Sequence, residues 1–237
     1  SKSIYNKSYF EGGQEDGYSD YENSKDILQI EFNSVKNLIL NRRKKSGGNL
    51  LEIGCAYGFL LEKVNPFFNV SGIEISHHAV NECNKRGLNV VSVDEENKIL
   101  NKAFFDVVVM LDVIEHLVNP LEKLEQINKC TKKGSLLIIS TGDFGSLSSR
   151  FLGRYWRLMT PPQHLWFFNK KSITNILKDY NFEVESISYP SKFVPISLII
   201  YQISRYLRIQ KYIKKLKIPG AIRINLFDSM RIIARKI

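Results

Sequence analysis

The sequence predicts an α/β fold in which seven strands, mostly parallel, form one sheet covered by helices on both faces. Three observations predict it. Short apolar runs with little polar alternation recur along the chain, each separated from the next by enough residues for a helix or a short crossover. A glycine-bounded loop, Glu52-Ile53-Gly54-Cys55-Ala56-Tyr57-Gly58, ends the first run. An acid, Glu74, ends the second run twenty residues after Gly54. Strands buried on both faces read as nearly continuous apolar runs, which is what a parallel sheet flanked by helices requires.

Taken in order, residues 1–24 are acidic and aromatic (Tyr5, Tyr9, Phe10, Tyr18, Tyr21) and read as an arm or cover. A helix is expected from about Asp26 to Arg43, with Ile27, Ile30, Val35, Leu38 and Ile39 on one face. Residues 1–47 thus form an arm and helix over the site, and 48–237 the main domain. Strands are expected at Asn49–Gly54, Val70–Ile75, Asn89–Val93, Phe105–Leu111 and Ser135–Thr141. A helix beginning near Ser172 leads to a sixth strand at Phe182–Tyr189, and a seventh follows at Ser229–Lys236. The last two are separated by an insertion at about 190–228, punctuated by Pro190, Pro195, Pro219 and Gly220.

A chain of 237 residues suits one well-buried domain. No apolar run reaches the roughly 18–20 residues that span a bilayer, and the polar start has no signal-peptide character. Three isolated cysteines, Cys55, Cys83 and Cys130, lack metal-ligand spacing. An odd number of lone thiols points to a reducing compartment, so a cytoplasmic location is expected. The abundance of Lys, Asn and Ile suits an AT-rich bacterial genome.

The net charge of +10 is local. Residues 192–237 hold eleven basic side chains and one acid, Asp228, whereas the rest of the chain is balanced. Within that segment a helix over Ile199–Leu216 would gather Ile199, Ile203, Tyr206, Ile209, Ile213 and Leu216 on one side, with Arg205, Arg208, Lys211 and Lys215 mainly on the other. A basic amphipathic helix of this kind serves as a lid packed on the domain, as a contact for an anionic membrane surface through residues 196–218 (a peripheral place at the inner membrane face), or as a partner for an anionic acceptor.

The loop spacing separates cofactor classes. A dinucleotide fingerprint needs G-x-G-x-x-G to admit a pyrophosphate; this chain has G-x-x-x-G, without the second glycine. At this point the sequence resembles the class I S-adenosylmethionine (SAM)-dependent methyltransferases, a Rossmann-like fold. In that family E/D-x-G-x-x-x-G is the cofactor loop, and an acid ending strand two holds the ribose. The resemblance implies SAM binding, with S-adenosylhomocysteine as product, by Glu52, Gly54, Cys55, Ala56 and Gly58, and by Glu74 with Ile75. It implies an adenine contact from Asp94 or its neighbour Glu95. Phe105–Pro120 looks like the family's fourth strand and following loop, which places Leu111 and Asp112 at the cofactor edge. Ser229–Lys236 is similar to the family's antiparallel final strand.

Methyl transfer from a sulfonium is one displacement, so the enzyme must mainly align the acceptor and exclude water. A hydroxyl acceptor gains from a base, and His is suited to that near neutral pH. His77 and His78 open the helix after strand two and read as solvated. His116 lies in Asp112-x-x-Glu115-His116, similar to the E-x-x-E-H of quinone-type O-methyltransferases, where a divalent ion is implied. Asp112 replaces the first Glu and shortens its reach, so no metal ligand is assigned. His164 lies in Pro161-Pro162-Gln163-His164-Leu165-Trp166-Phe167-Phe168, a stretch placed to line the acceptor pocket, and is the first choice of base, with His116 second. A similar segment occurs in bacterial methyltransferases linked to sugar or polysaccharide modification. The expected reaction is therefore O-methylation of a sugar, glycan or related small hydroxyl compound. The alternatives are a membrane-associated quinone or lipid O-methyltransferase and a SAM-binding, non-catalytic partner protein. Nucleic acid is not expected, because Leu111-Asp112-Val113-Ile114 stands where amino-directed nucleic-acid enzymes carry N-P-P-Y.

Overall fold

The computed structural model describes residues 25–43, 47–101, 104–196, 199–200, 204 and 220–237. The expected arm at 1–24 and most of the basic amphipathic helix lie outside the described residues. Helix α1 (Lys25–Arg43) precedes β1 (Asn49–Ile53), α2 (Phe59–Val64), β2 (Asn69–Glu74), α3 (His77–Lys85), β3 (Val90–Ser92), α4 (Asn97–Leu100) and β4 (Phe105–Leu111). Then come α5 (Pro120–Lys129), β5 (Thr131–Gly142), α6 (Leu147–Leu152), α7 (Lys170–Asp179), β6 (Phe182–Ser188), β7 (Lys192–Pro195), β8 (Ala221–Ile224) and β9 (Ser229–Lys236).

Seven of these strands form one sheet in the order β3-β2-β1-β4-β5-β9-β6. β9 pairs antiparallel with both β5 and β6, so it alone of the seven runs against the others. Alternate residues face opposite layers. Leu50, Val107, Val109 and Ile138 join Val35, Ile39 and Leu60 on one side. Leu51, Val108, Met110 and Ile139 join Leu124, Ile127 and Leu177 on the other. Burial on both faces is why the central strands β1 and β4 are mostly apolar, whereas the edge strand β6 alternates with polar residues.

Two expectations need correction. Ile30 of α1 is 55% exposed, and the buried stripe is Phe32, Val35 and Ile39. Those three follow the i, i+3, i+7 spacing of a helix face, whereas Ile30 falls some 200° away from Phe32 around the axis. β5 begins at Thr131 rather than Ser135, because Phe105 pairs with Thr131 before a register shift to Val107–Leu136. The insertion also holds a hairpin that periodicity did not suggest: β7 and β8 pair antiparallel, from Lys192–Ile224 to Pro195–Ala221.

Between β1 and β4 the chain order reverses. In open α/β sheets the crevice at the carboxyl ends of such strands is where ligands bind. Among the described residues, no helix is long and apolar enough to cross a membrane.

Candidate active site

The carboxyl ends of β1, β2 and β4 bring the expected loop residues together. Gly54 sits at φ +72°, and a Cβ there would lie 2.4 Å from Val113 Cγ2, so only glycine lets the β1 tip pass under the loop after β4. Gly58, also left-handed at φ +70°, precedes α2. Between them Ala56 has φ +46°, and its N–H donates to Glu74 Oε2 at 2.8 Å. The other oxygen of Glu74 accepts from Ser76 N at 2.9 Å. Glu74 thus ties the β1 bend to its own turn. It is buried, and burial raises its pKa against the lowering effect of those backbone bonds.

Below the bend, Glu52 is buried with Oε2 unpartnered among the described residues. Desolvation first, then Cys83 and Glu74, push its carboxyl well above the usual range. The Cys55 and Cys83 thiols both donate to Ala56 O, at 4.0 and 3.4 Å, and their mutual interaction, with burial, raises Cys55, while the same interaction and Arg86 lower Cys83. Ile75 is half-buried beside Glu74. Asp94 and Glu95 stand exposed in the turn Val93–Glu95 after β3, whose Ser92 is in register with Glu74. Leu111 ends β4, and Asp112, the next residue, takes φ +54°.

The half-buried carboxylate of Asp112 is taken up by Lys192, from the unforeseen β7. Burial works to raise its pKa, but Lys192, through charge and hydrogen bond, holds it below the ordinary value. Close by, Arg231 of β9 is buried, with Nη2 3.6 Å from Glu31 of α1. The loop after α6 is fixed from the residue preceding β9 as well. Asp228 accepts from Trp156 Nε1 at 3.0 Å and from Arg157 at 2.9 and 2.8 Å. Sequence reasoning missed Lys192, Arg231, Glu31 and Asp228. One signal was present: Asp228 is the single acid in the basic segment.

The two candidate bases meet. The stretch after α6 folds back onto the turn Ile114–His116, where Glu115 O accepts from Leu165 N (2.8 Å) and Trp166 N (3.2 Å). Trp166 Nε1 donates to Leu117 O at 2.9 Å. The rings of His116 and His164 lie edge to face, 4.6 Å between centroids. Each ring bonds a main-chain carbonyl through Nδ1, His116 to Gln163 O (2.9 Å) and His164 to Leu158 O (2.7 Å). A carbonyl only accepts, so Nδ1 carries the proton and Nε2 the lone pair in both neutral rings. Burial lowers both pKa values. That of His164 falls to about 4, with His116 adding to the effect of burial. Glu115 is buried, and desolvation followed by Asp112 raises its pKa to about 8. One ligand atom from each of Glu115, His116 and His164 lies within 4.8 Å of the others. The ion implied by the D-x-x-E-H resemblance does not fit Asp112 as first ligand, because Lys192 already neutralises it. His77 is exposed and His78 half-buried against the edge of Tyr57.

A family model described as a methyltransferase domain matches residues 29–187. The chain belongs to that family. Its fold is that of the class I SAM-dependent methyltransferases, as the cofactor loop and the antiparallel last strand led us to expect. Among curated proteins it is similar to the mitochondrial ubiquinone biosynthesis O-methyltransferase of Dictyostelium discoideum, 27% identical over 165 residues, covering 60% of this chain and 51% of that one. A ubiquinone biosynthesis O-methyltransferase of Colwellia psychrerythraea is 28% identical over 122 residues, covering 48% of this chain and 47% of that one. The chain therefore spans about half the length of these methyltransferases. Among solved structures, magnesium protoporphyrin IX methyltransferase of Synechocystis with bound S-adenosylhomocysteine superposes with TM-score 0.59 at 17% identity, covering 91% of this chain and 88% of that one. A [4+2]-cyclase superposes with TM-score 0.57 at 16% identity, covering 86% and 80%. Likeness at this level establishes the methyltransferase fold, while the reaction is decided by the site.

Proposed function

We propose that this domain transfers the methyl group of SAM to a hydroxyl oxygen of a small molecule. The observation that carries the reading is the arrangement at the switch point. A glycine-bounded bend at the tip of β1 and the Glu74 carboxylate at the tip of β2 stand at the carboxyl ends of the strands, where such sheets bind their ligands, and the histidine pair follows β4 at the same end. In this reading Glu52, Gly54, Cys55, Ala56 and Gly58 cradle the methionine and adenosine parts. Glu74 accepts the ribose hydroxyls next to Ile75, Asp94 or Glu95 meets the adenine amine, and Leu111 and Asp112 border the cofactor. An acceptor oxygen attacks the methyl carbon as the carbon–sulfur bond breaks, leaving the uncharged thioether. His164 Nε2 takes the hydroxyl proton as the new carbon–oxygen bond forms, with His116 beside it. Burial leaves His164 unprotonated at neutral pH and, by lowering its pKa to about 4, makes it a weaker proton acceptor than an ordinary imidazole.

The acceptor is proposed to be a phenolic or quinol-like hydroxyl rather than a sugar or glycan. The names of the ubiquinone relatives favour it. So do the apolar side chains left exposed around the acceptor loop: Phe144 (43%), Leu147 (71%), Phe151 (86%), Leu165 (45%) and Trp166 (44%). The same apolar rim supports a second reading, in which the acceptor is drawn from a membrane. Flotation with anionic liposomes, with and without residues 196–218, tests it. For the main reading, purified protein is incubated with SAM and panels of catechols, quinols and sugars, and S-adenosylhomocysteine is quantified by mass spectrometry. Turnover with an aromatic hydroxyl supports the proposal, turnover with sugars alone redirects the acceptor, and binding of SAM without turnover on any panel leaves a non-catalytic partner protein. His164→Ala is expected to cut turnover about 10²-fold with SAM affinity unchanged; full turnover in that variant removes His164 from the role of base.

A further inference from the structure

We propose that Arg231 binds a carboxylate of the acceptor by displacing Glu31, so that the acceptor is a hydroxyl compound that also carries an acid group. Arg231 lies on β9 opposite Ser140 of β5, and Ser140 is paired on its other side with Leu111 of β4. The Arg231 backbone is therefore two strand spacings, about 10 Å, from the tip of β4. Its side chain reaches towards α1, is almost wholly buried, and has Nη2 without a hydrogen-bond partner among the described residues. Its contacts with Ser140 Oγ (from Nε, 3.4 Å) and Glu31 Oε1 (from Nη2, 3.6 Å) are both long. A buried cation held so loosely is costly until a better-placed anion completes it. The other acids nearby are already engaged. Asp112 is taken up by Lys192, and Asp228 by Arg157 and Trp156.

Charge balance selects the ligand. Arg231, Lys192 and Arg157 are matched by Glu31, Asp112 and Asp228, so an added anion needs one of these acids to withdraw. Glu31 is placed to do so: its side chain is 27% exposed, and it meets Arg231 only at 3.6 Å. Once it swings to solvent, a ligand carboxylate takes two guanidinium N–H groups in the planar geometry that arginine favours. One carboxylate replaces another, and the cluster stays neutral. A phosphate dianion would instead bring a second negative charge beside Asp112. Lys192, whose charge is felt by both Asp112 and Glu31, adds a second cation at the mouth of the site. The cluster also adjoins the proposed base, since Asp112 and Arg157 both act on the charge of His164. An acceptor anchored by its acid group is thereby held with its hydroxyl turned towards the turn after β4, which lowers the entropic cost of alignment. The inference rests on the proposed hydroxyl methylation for the place of the reacting group; the binding of the carboxylate does not depend on it.

The test separates binding from reaction. Full chain saturated with S-adenosylhomocysteine, where no transfer occurs, is titrated at fixed ionic strength with benzoate, its neutral analogue benzamide, and phenyl phosphate, and binding is read by calorimetry and by melting temperature. Benzoate should bind at least about tenfold more tightly than benzamide. Arg231→Gln should weaken benzoate at least about tenfold and leave benzamide unchanged. Glu31→Gln should act in the opposite sense. Without its placeholder the protein should melt lower, benzoate should restore the melting temperature, and benzoate affinity should rise about threefold or more. If Arg231→Gln does not fold, Glu31→Gln carries the test, because a packing role for Glu31 would not tighten an anion. Equal binding of benzoate and benzamide, undiminished benzoate binding in folded Arg231→Gln, or unchanged or weaker binding in Glu31→Gln would overturn the proposal. Tighter binding of phenyl phosphate than of benzoate would overturn the assignment to a carboxylate. Turnover of 3,4-dihydroxybenzoate should show a lower KM than that of its amide. If benzoate binds as described while no hydroxyl compound is methylated, the proposed reaction fails and the carboxylate site remains. If hydroxyl compounds are methylated while benzoate and benzamide bind alike, the carboxylate site alone fails.

Discussion

Removing the Glu74 carboxylate tests the cofactor site and the fold together. In the free protein Glu74 accepts from Ala56 N at 2.8 Å and Ser76 N at 2.9 Å, both at a buried carboxylate. In Glu74→Ala both donors lose their partner, and a buried unsatisfied donor costs roughly 1–3 kcal/mol. Relief of carboxylate desolvation offsets part of this, leaving a net loss of about 2–4 kcal/mol. At roughly 2–4 °C per kcal/mol for a chain of this size, the melting temperature should fall by about 4–16 °C. Glu74→Gln keeps one acceptor but turns an amide NH2 towards the other N–H, so it should lose about half as much. Cofactor affinity should drop more steeply. Two hydrogen bonds from ribose hydroxyls to a charged acceptor are worth about 3–6 kcal/mol together, or about 10²-fold or more in Kd. The assay pairs thermal melts with calorimetric titration of S-adenosylhomocysteine at a temperature where every variant is folded. A lowered melting temperature with unchanged Kd would leave Glu74 a structural clasp only. Unchanged melting in Glu74→Ala would refute the hydrogen-bond argument itself.

Further outcomes follow from the same geometry. Gly54→Ala places a methyl 2.4 Å from Val113 Cγ2 on a left-handed backbone, so it should destabilise by about 2 kcal/mol or more and weaken SAM binding, read by melts and titration. Glu115, with a folded pKa raised to about 8 from an ordinary 4.5, stays protonated where the unfolded chain ionises. Its stabilisation is therefore full below pH 4.5 and lost as pH rises through about 8. Denaturation across that range should show a slope steeper in wild type than in Glu115→Gln by up to about 1.4 kcal/mol per pH unit; equal slopes would contradict the burial argument. Asp228→Asn removes the charge that anchors Arg157 and weakens the bond from Trp156, and should lower stability by about 2–4 kcal/mol and raise proteolytic cleavage within 153–168.

The sheet was legible because both layers bury their strands. Phe105–Leu111 and Ser229–Lys236 have the same bounds in sequence and structure, since each has an apolar centre, Val107–Leu111 and Ile232–Ala234, flanked by polar residues. The cofactor bend was legible for a different reason. Gly54 and Gly58 adopt dihedrals and contacts that other residues resist, so the constraint is written in residue type as well as spacing. What escaped notice depends on pairing across long separations. Ion pairs such as Lys192 with Asp112 or Arg231 with Glu31 join side chains whose types are unremarkable at their own positions, and no periodicity links the elements that bear them. The histidines illustrate the boundary well. Each was singled out by local composition, as rivals for one role. Only the fold shows Leu165 and Trp166 bonded back to the Glu115 carbonyl, which makes His116 and His164 two halves of one cluster, with the buried Glu115 carboxyl beside them. A substitution that breaks that backbone link, such as Leu165→Pro, should therefore act on both histidines at once, a coupling that no reading of either one alone would suggest.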